Sequence, residues 1–168
     1  RSLITLLEQY KYAIDKSTLV SKTDEKGIIT YANTSFCKLS GYTEAELIGK
    51  PHSIVRHQDS EKSVFKEMWK LLKEKKVWSG MLQNRAKNGS SYYVHATIFP
   101  ILDEYGKVVE YMALREDLTT MIQYEKNLET QQHRLHQILD NQESIVSLTT
   151  EDGVVTFLNK KFFDCFNY

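Results

Sequence analysis

Leu3, Leu6, Leu7, Tyr10 and Ile14 recur at spacings of three and four, so the chain opens on an amphipathic helix over residues 1–17. The period then changes. "STLVSKTDEKGIITYAN" holds two short β-branched runs split by an Asp-Glu-Lys-Gly turn, which predicts a hairpin. "TSFCKLSGY" reads as a short helix closed by Gly41. "TEAELIG" reads as another, with Thr43 and Glu46 placed as a capping box and Gly49 at its end. In "EKSVFKEMWKLLKEKK", Val64, Phe65, Met68, Trp69, Leu71 and Leu72 share one face of a third helix. "VWSGMLQNRA" and "SYYVHATIFPIL" follow as strands around Asn88-Gly89, a strong hairpin signal. After the turn "EYGK", "VVEYMALRED" is the last strand of the run. The expected order, β-β-α-α-α-β-β-β, is an α+β fold: a five-stranded antiparallel sheet with helices on one face. An antiparallel sheet can keep one face open, and that face together with the middle helices would enclose a pocket.

"LTTMIQYEKNLETQQHRLHQILDN" is polar and helical. Leu118, Met121, Leu128, Leu135 and Leu139 mark a 3.5-residue seam interrupted by Glu125 and Gln132, the pattern of a leaky coiled coil over residues 120–142. Beyond it the sequence repeats. "DEKGIITYANTSFCKLSGY" and "TEDGVVTFLNKKFFDCFNY" pair Gly27 with Gly153, Thr30 with Thr156, Asn33 with Asn159, Phe36 with Phe162 and Tyr42 with Tyr168, every pair 126 residues apart. That spacing fits two domains of one type in tandem, with residues 143–168 the truncated start of the second. A lone hairpin is marginal in water, so this segment is expected to be disordered, to pack on the first domain or to pair with another chain. The chain is accordingly expected to be a piece of something longer.

Charge narrows the function. Lys+Arg and Asp+Glu both number 22, which argues against bulk electrostatic binding to nucleic acid or to an anionic membrane. No stretch approaches the roughly 20 apolar residues of a membrane helix. Cys37 and Cys165 form no CxxC pair, so a reduced cytoplasmic setting is the default.

The densest chemistry lies in "PHSIVRHQD", residues 51–59. No nucleophile elbow, phosphate-binding GxGxxG or P-loop accompanies it, so it is not expected to be an enzyme's active site. His52 and His57 are spaced poorly for a closed metal site. An Arg56–Asp59 ion pair holding the loop is the plain structural alternative, worth about 0–1 kcal/mol if exposed.

"ITYANTSFCKLSGYTEAELIGKPHSIVRHQD", with Asn88-Gly89 downstream, resembles a PAS sensory domain, covering residues 18–119. More narrowly, "GKPHSIVRHQD" followed by "FKEMWKLLKEKKVWSGMLQNRAKNGSSYYV" resembles the FAD-binding PAS domains of bacterial aerotaxis receptors. Gln58 stands where that family commonly has proline, and the coiled coil leads to a second PAS-like segment rather than directly to a membrane anchor. The resemblance implies a sensory input module that binds FAD and reports redox or oxygen state through a helical linker. The output domain would lie outside this chain, and a homodimer would form through the flanking helices. It assigns Ile54 and Val55 to the pocket lining, and Arg56, His57 and Asp59 to polar contacts with the flavin or its phosphates.

Strand alternation puts Trp78, Gly80, Leu82 and Asn84 on one face, suited to a flat ring. Trp69 completes the candidate set from the third middle helix, and Asn33 joins it either as a pocket contact or as a structural residue at the strand-to-helix junction. Flavin N5 accepts a hydrogen bond when oxidised and donates one when reduced, and the Asn84 amide serves either need by rotating. Such a rotation is expected to alter contacts beside "VVEYMALRED", which runs into the coiled coil.

Two alternatives stand beside this reading: a PAS interaction module with an empty pocket or another small ligand, and a haem-based gas sensor using His52, His57 or His95. Light-driven adduct chemistry is not expected, because Cys37 lies in "SFCKLSGY" rather than in an N-C-R-F-L-Q-like helix. His133 and His136 lack the proline of a histidine-kinase phosphorylation box, and no GG(D/E)EF string occurs.

Overall fold

The computed structural model describes residues 2–166; Tyr168, the partner of Tyr42 in the repeat, lies outside them. The chain divides into two compact units, residues 1–120 and 121–168.

The first unit begins with α1 (Leu3–Ser17), capped by the Ser2 side chain, and continues β1 (Leu19–Thr23), β2 (Ile29–Ala32), α2 (Thr34–Ser40) and α3 (Glu44–Leu47). The Thr43/Glu46 capping box forms, and Gly41 closes α2 at a φ of 75° that a side chain would disfavour. "PHSIVRHQD" is more ordered than a plain loop: His52–Val55 is a 3-10 turn. Then come α4 (Lys62–Lys73), β3 (Trp78–Arg85), β4 (Ser91–Leu102) and β5 (Val108–Asp117).

The five strands form one antiparallel sheet in the order β2-β1-β5-β4-β3. First and last strands therefore meet in the middle, with Ser21 opposite Ala113 and Thr23 opposite Tyr111. Tyr92, Val94, Ala96 and Ile98 alternate inward along β4 and pack with Phe36, Leu47, Val55, Met68 and Leu72 from the helices and the 3-10 turn. The β3–β4 hairpin turns through Ala86–Ser90 with Gly89 alone at positive φ (88°), so it is not a two-residue Asn-Gly turn.

Asn33 explains why the sheet and its flanking helix hold together. Its Oδ1 accepts from the N–H groups of Val20 and Phe36, both at 3.0 Å, and its Nδ2 donates to the carbonyls of Asp15 (2.9 Å) and Thr18 (2.8 Å). One buried side chain thus caps α2, fixes the β1–β2 register and fastens the end of α1. It is a junction residue.

Helix α5 (Thr119–Asp140) follows β5, and the second unit adds β6 (Ser147–Thr149), β7 (Val155–Leu158) and α6 (Lys160–Phe166). Here Asn159 repeats the asparagine pattern. Its Oδ1 accepts from Val146 N–H, and its Nδ2 donates to the carbonyls of Ser144 and of Leu139 in the last turn of α5. Within that unit α5 stands to its hairpin as α1 stands to the first. The apolar positions of α5 are open: Met121, Leu128 and Leu135 are each at least half exposed.

Candidate functional site

A cavity of about 240 Å³ lies between the inner face of the sheet and α4. Its apolar wall is Phe65, Met68 and Leu72 from α4 facing Leu82 and Ile98 from the strands. Lys26, Pro51, Ser53 and Arg56 are its exposed lining residues and mark its mouth. Trp69 stands at the side, edge-on to Tyr111 with ring centroids 5.5 Å apart, its ring so close to Gly27 that a Cβ there would lie 3.3 Å from it.

The loop reaches the cavity because both its ends are pinned. His52 N–H donates to the Gly27 carbonyl, and Pro51 bridges Ile28. At the far end Arg56 bridges Asn84 on edge strand β3, and Ser60 Oγ donates to the Gln83 carbonyl at 2.9 Å.

Four of the nine candidate residues line the cavity: Arg56, Trp69, Leu82 and Asn84. The other five stand outside its lining. Asn33 is the junction residue described above. Ile54 packs against the core, and His57 Nδ1 accepts a hydrogen bond from the Asp59 N–H at 3.2 Å within the exposed loop. The Arg56–Asp59 pair is absent from the described contacts; Arg56 lies over the Phe65 ring, 3.8 Å from its centroid. Trp78 is buried, and its ring covers Gly80 so closely that a Cβ there would lie 2.7 Å from it. Period-2 alternation put Trp78 on the correct face, but the indole folds along its own strand.

At the polar end of the cavity, Arg115 and Ser21 were not singled out from the sequence, and His52 was singled out only as a haem ligand. Arg115 is 3% exposed. Its Nη1 donates to Ser21 Oγ and its Nη2 to His52 Nε2, both at 2.9 Å, and its guanidinium lies over the Phe36 ring. Burial, and secondarily the charge of Arg115, pushes the His52 imidazole down to about 3, so it stays neutral and accepts. Burial also brings Arg115 down to about 10, which leaves it charged at neutral pH. The available signal was alternation: Tyr111, Ala113 and Arg115 share the inward face of β5, so the pattern itself placed a lone cation in the interior.

Among the described residues, three buried polar atoms at or beside the cavity have no hydrogen-bond partner: Arg115 Nε, Asn84 Nδ2 and Tyr92 Oη. Two of them are donors only. Asn84 sits opposite Tyr92 in the β3–β4 pairing, near enough for the amide to stabilise a phenolate, yet outside bonding geometry. Burial pushes the Tyr92 hydroxyl up to about 12. The next residue, Tyr93, holds the start of α5: its carbonyl accepts from Leu118 N–H (2.8 Å) and its N–H donates to Thr119 Oγ1 (3.0 Å). Strand β4 stands between β3 and β5 in the sheet, and the residue bonded to the start of α5 directly follows Tyr92, the β4 partner of Asn84.

A family model described as the PAS fold matches residues 29–115, just over half of the chain. The chain belongs to the PAS family. Its PAS segment is similar to the aerotaxis receptor of Escherichia coli, 47% identical over 105 residues, which take in 62% of this chain and 21% of the receptor. The nitrogen fixation regulatory protein of Klebsiella pneumoniae is 30% identical over 152 residues, 90% of this chain and 30% of that protein. The chain thus spans less than a third of either relative. Among solved structures, the PAS domain of a Colwellia psychrerythraea protein aligns with a TM-score of 0.63 at 22% identity, over 68% of this chain and 98% of that one. A light-oxygen-voltage domain from work with a flavin analogue aligns at 0.61 and 21%, over 76% of this chain and 96% of that one. At such identities the likeness shows the PAS fold alone.

Proposed function

We propose that this PAS domain is a sensory input module that binds FAD and reports redox or oxygen state through α5 to an output domain not on this chain. The observation that carries the reading is the cavity: a slot with apolar side chains on two sides, ending in buried donors that lack acceptors. A flat ring system with carbonyl and ring-nitrogen acceptors along one edge supplies what those donors lack. At about 240 Å³ the cavity falls below the ~300–1,000 Å³ of pockets that hold a whole ligand. It suits a ring system whose remaining atoms pass out at the mouth, where Lys26 and Arg56 offer cations to phosphates. The likeness to an aerotaxis receptor, a family whose PAS domains the sequence resemblance links to FAD, favours the same group.

When bound, flavin supplies reversible uptake of two electrons. The chain's own part is to hold and to sense. Asn84 presents either its carbonyl or its NH2 by rotating, and Tyr92 and Tyr93 connect that choice to the start of α5. A coupling of ~1–3 kcal/mol between cavity and helix is the usual scale. Residues 143–168 are read as the opening of a second PAS domain, for which the shared asparagine pattern speaks. Dimerisation is assigned to α1 and α5, whose Leu3, Leu7, Leu128 and Leu135 face solvent. The setting is assigned to the cytoplasm; no described helix is long and apolar enough to cross a membrane.

Haem is disfavoured by position. His95 is exposed, pairing with Ser79 across the strands, and His52 Nε2 is already engaged by Arg115. The test is colour. Purified chain should carry, or take up, FAD with a flavin spectrum that dithionite bleaches. A Soret band, or a colourless protein that does not bind added FAD, overturns the reading. Asn84→Ala should still permit flavin reduction but abolish any redox-dependent change in α5; persistence of that change refutes the coupling.

A further inference from the structure

A buried cation is normally paired with a carboxylate, because removing a lone charge from water is costly. Arg115 breaks that rule. Among the described residues its side-chain hydrogen-bond partners are a serine hydroxyl and a histidine ring nitrogen, the neutral Tyr92 hydroxyl lies near, and its flat face meets Phe36. None of the ion pairs involves it, and its Nε has no partner. Lys26 and Arg56 at the mouth add positive charge without offsetting it. The inner wall of the cavity therefore carries an uncompensated positive charge in a low-dielectric place, where its effect on a bound molecule is largest.

We propose that Arg115 is the residue that makes this cavity prefer a negatively charged ligand, so that it binds the reduced, anionic form of flavin more tightly than the oxidised form. This rests on the flavin reading above. Reduction adds two electrons, from a chemical reductant, and one proton, from water, to a neutral ring; the product bears one negative charge. Arg115 attracts that charge and does not attract the neutral ring equally, so its effect is differential between the two states. Ser21 and His52 act as positioning residues: their hydrogen bonds hold the guanidinium against the cavity without neutralising it.

The test uses the whole chain loaded with FAD. The midpoint potential of the bound flavin is measured by dithionite titration against a reference dye, and FAD affinity by fluorescence. Arg115→Gln removes the charge. Ser21→Asp keeps the arginine but gives it the missing carboxylate, which covers the case in which Arg115→Gln fails to fold. Each should lower the preference for reduced over oxidised flavin at least tenfold, a fall in potential of about 30 mV for a two-electron couple. Arg115→Lys and Ser21→Asn should keep most of the preference. A purely structural role for Arg115 would weaken both flavin states together and leave the potential in place. Unchanged potentials in folded Arg115→Gln or Ser21→Asp protein overturn the proposal while leaving the flavin reading intact. Failure of the unsubstituted chain to bind FAD overturns the flavin reading and this proposal with it.

Discussion

Asn33→Ala offers the sharpest test of how the first unit is held together. Asn33 is 5% exposed and makes four hydrogen bonds, two through its oxygen and two through its nitrogen. Alanine removes the α2 cap at the Phe36 N–H, a loss of ~1 kcal/mol. It also strands the Val20 N–H inside the sheet, costing ~1–3 kcal/mol for an unsatisfied buried donor. The carbonyls of Asp15 and Thr18 lose a partner as well, at the end of α1 where water can partly replace it. The expected loss is ~2–4 kcal/mol, a large share of the ~5–15 kcal/mol that stabilises a typical domain. The chain's two tryptophans, Trp69 and Trp78, both lie in the first unit, so indole fluorescence in urea reports that unit. Asn33→Ala should lower the midpoint with little change in slope. Asn33→Ser keeps an oxygen at the cap and should fall between the two. A loss below ~1 kcal/mol for Asn33→Ala would refute this account of the junction.

His52 gives a pH dependence of defined sign. Its folded-state value is held down at about 3 against an ordinary 6.5, first by burial and then by Arg115. The unfolded chain therefore takes up a proton that the folded chain refuses, and stability falls as the pH drops from about 6.5 toward 3, by up to ~1.4 kcal/mol per pH unit. Urea midpoints of His52→Asn should show a shallower acid slope; an identical slope removes His52 as the cause. Gly80→Ala drives a methyl into the Trp78 ring, which is buried and has little room to retreat, at ~1–3 kcal/mol; full stability in that variant would mean that the indole repacks freely. Sedimentation should show a dimer that Leu128→Glu dissociates, and a chain that is monomeric before substitution refutes dimerisation through α5.

Much of the architecture was legible because it is local. Strand bounds for β4 and β5 follow from alternation, the Thr43/Glu46 box from a spacing of three, and Gly41 and Gly89 from the positive φ their positions require. Asn33 carried two readings from the sequence, and the structure places it at the junction. The cavity was harder. Trp78 sits on the inward face as its position demands, but a side-chain torsion laid its ring on Gly80 and took it out of the lining.

Alone, the sequence determined which segments are helix and strand and which faces are apolar. Those properties depend on neighbours a few residues apart. Tertiary structure alone decided which side chains meet in the cavity. The pairing of β1 with β5 brings Ser21 within 2.9 Å of Arg115, 94 positions along the chain, and the pinned 3-10 turn delivers His52 from 63 positions away. A lone inward arginine is only a letter in a strand pattern until closure of the sheet shows that, among the described residues, no carboxylate pairs with it.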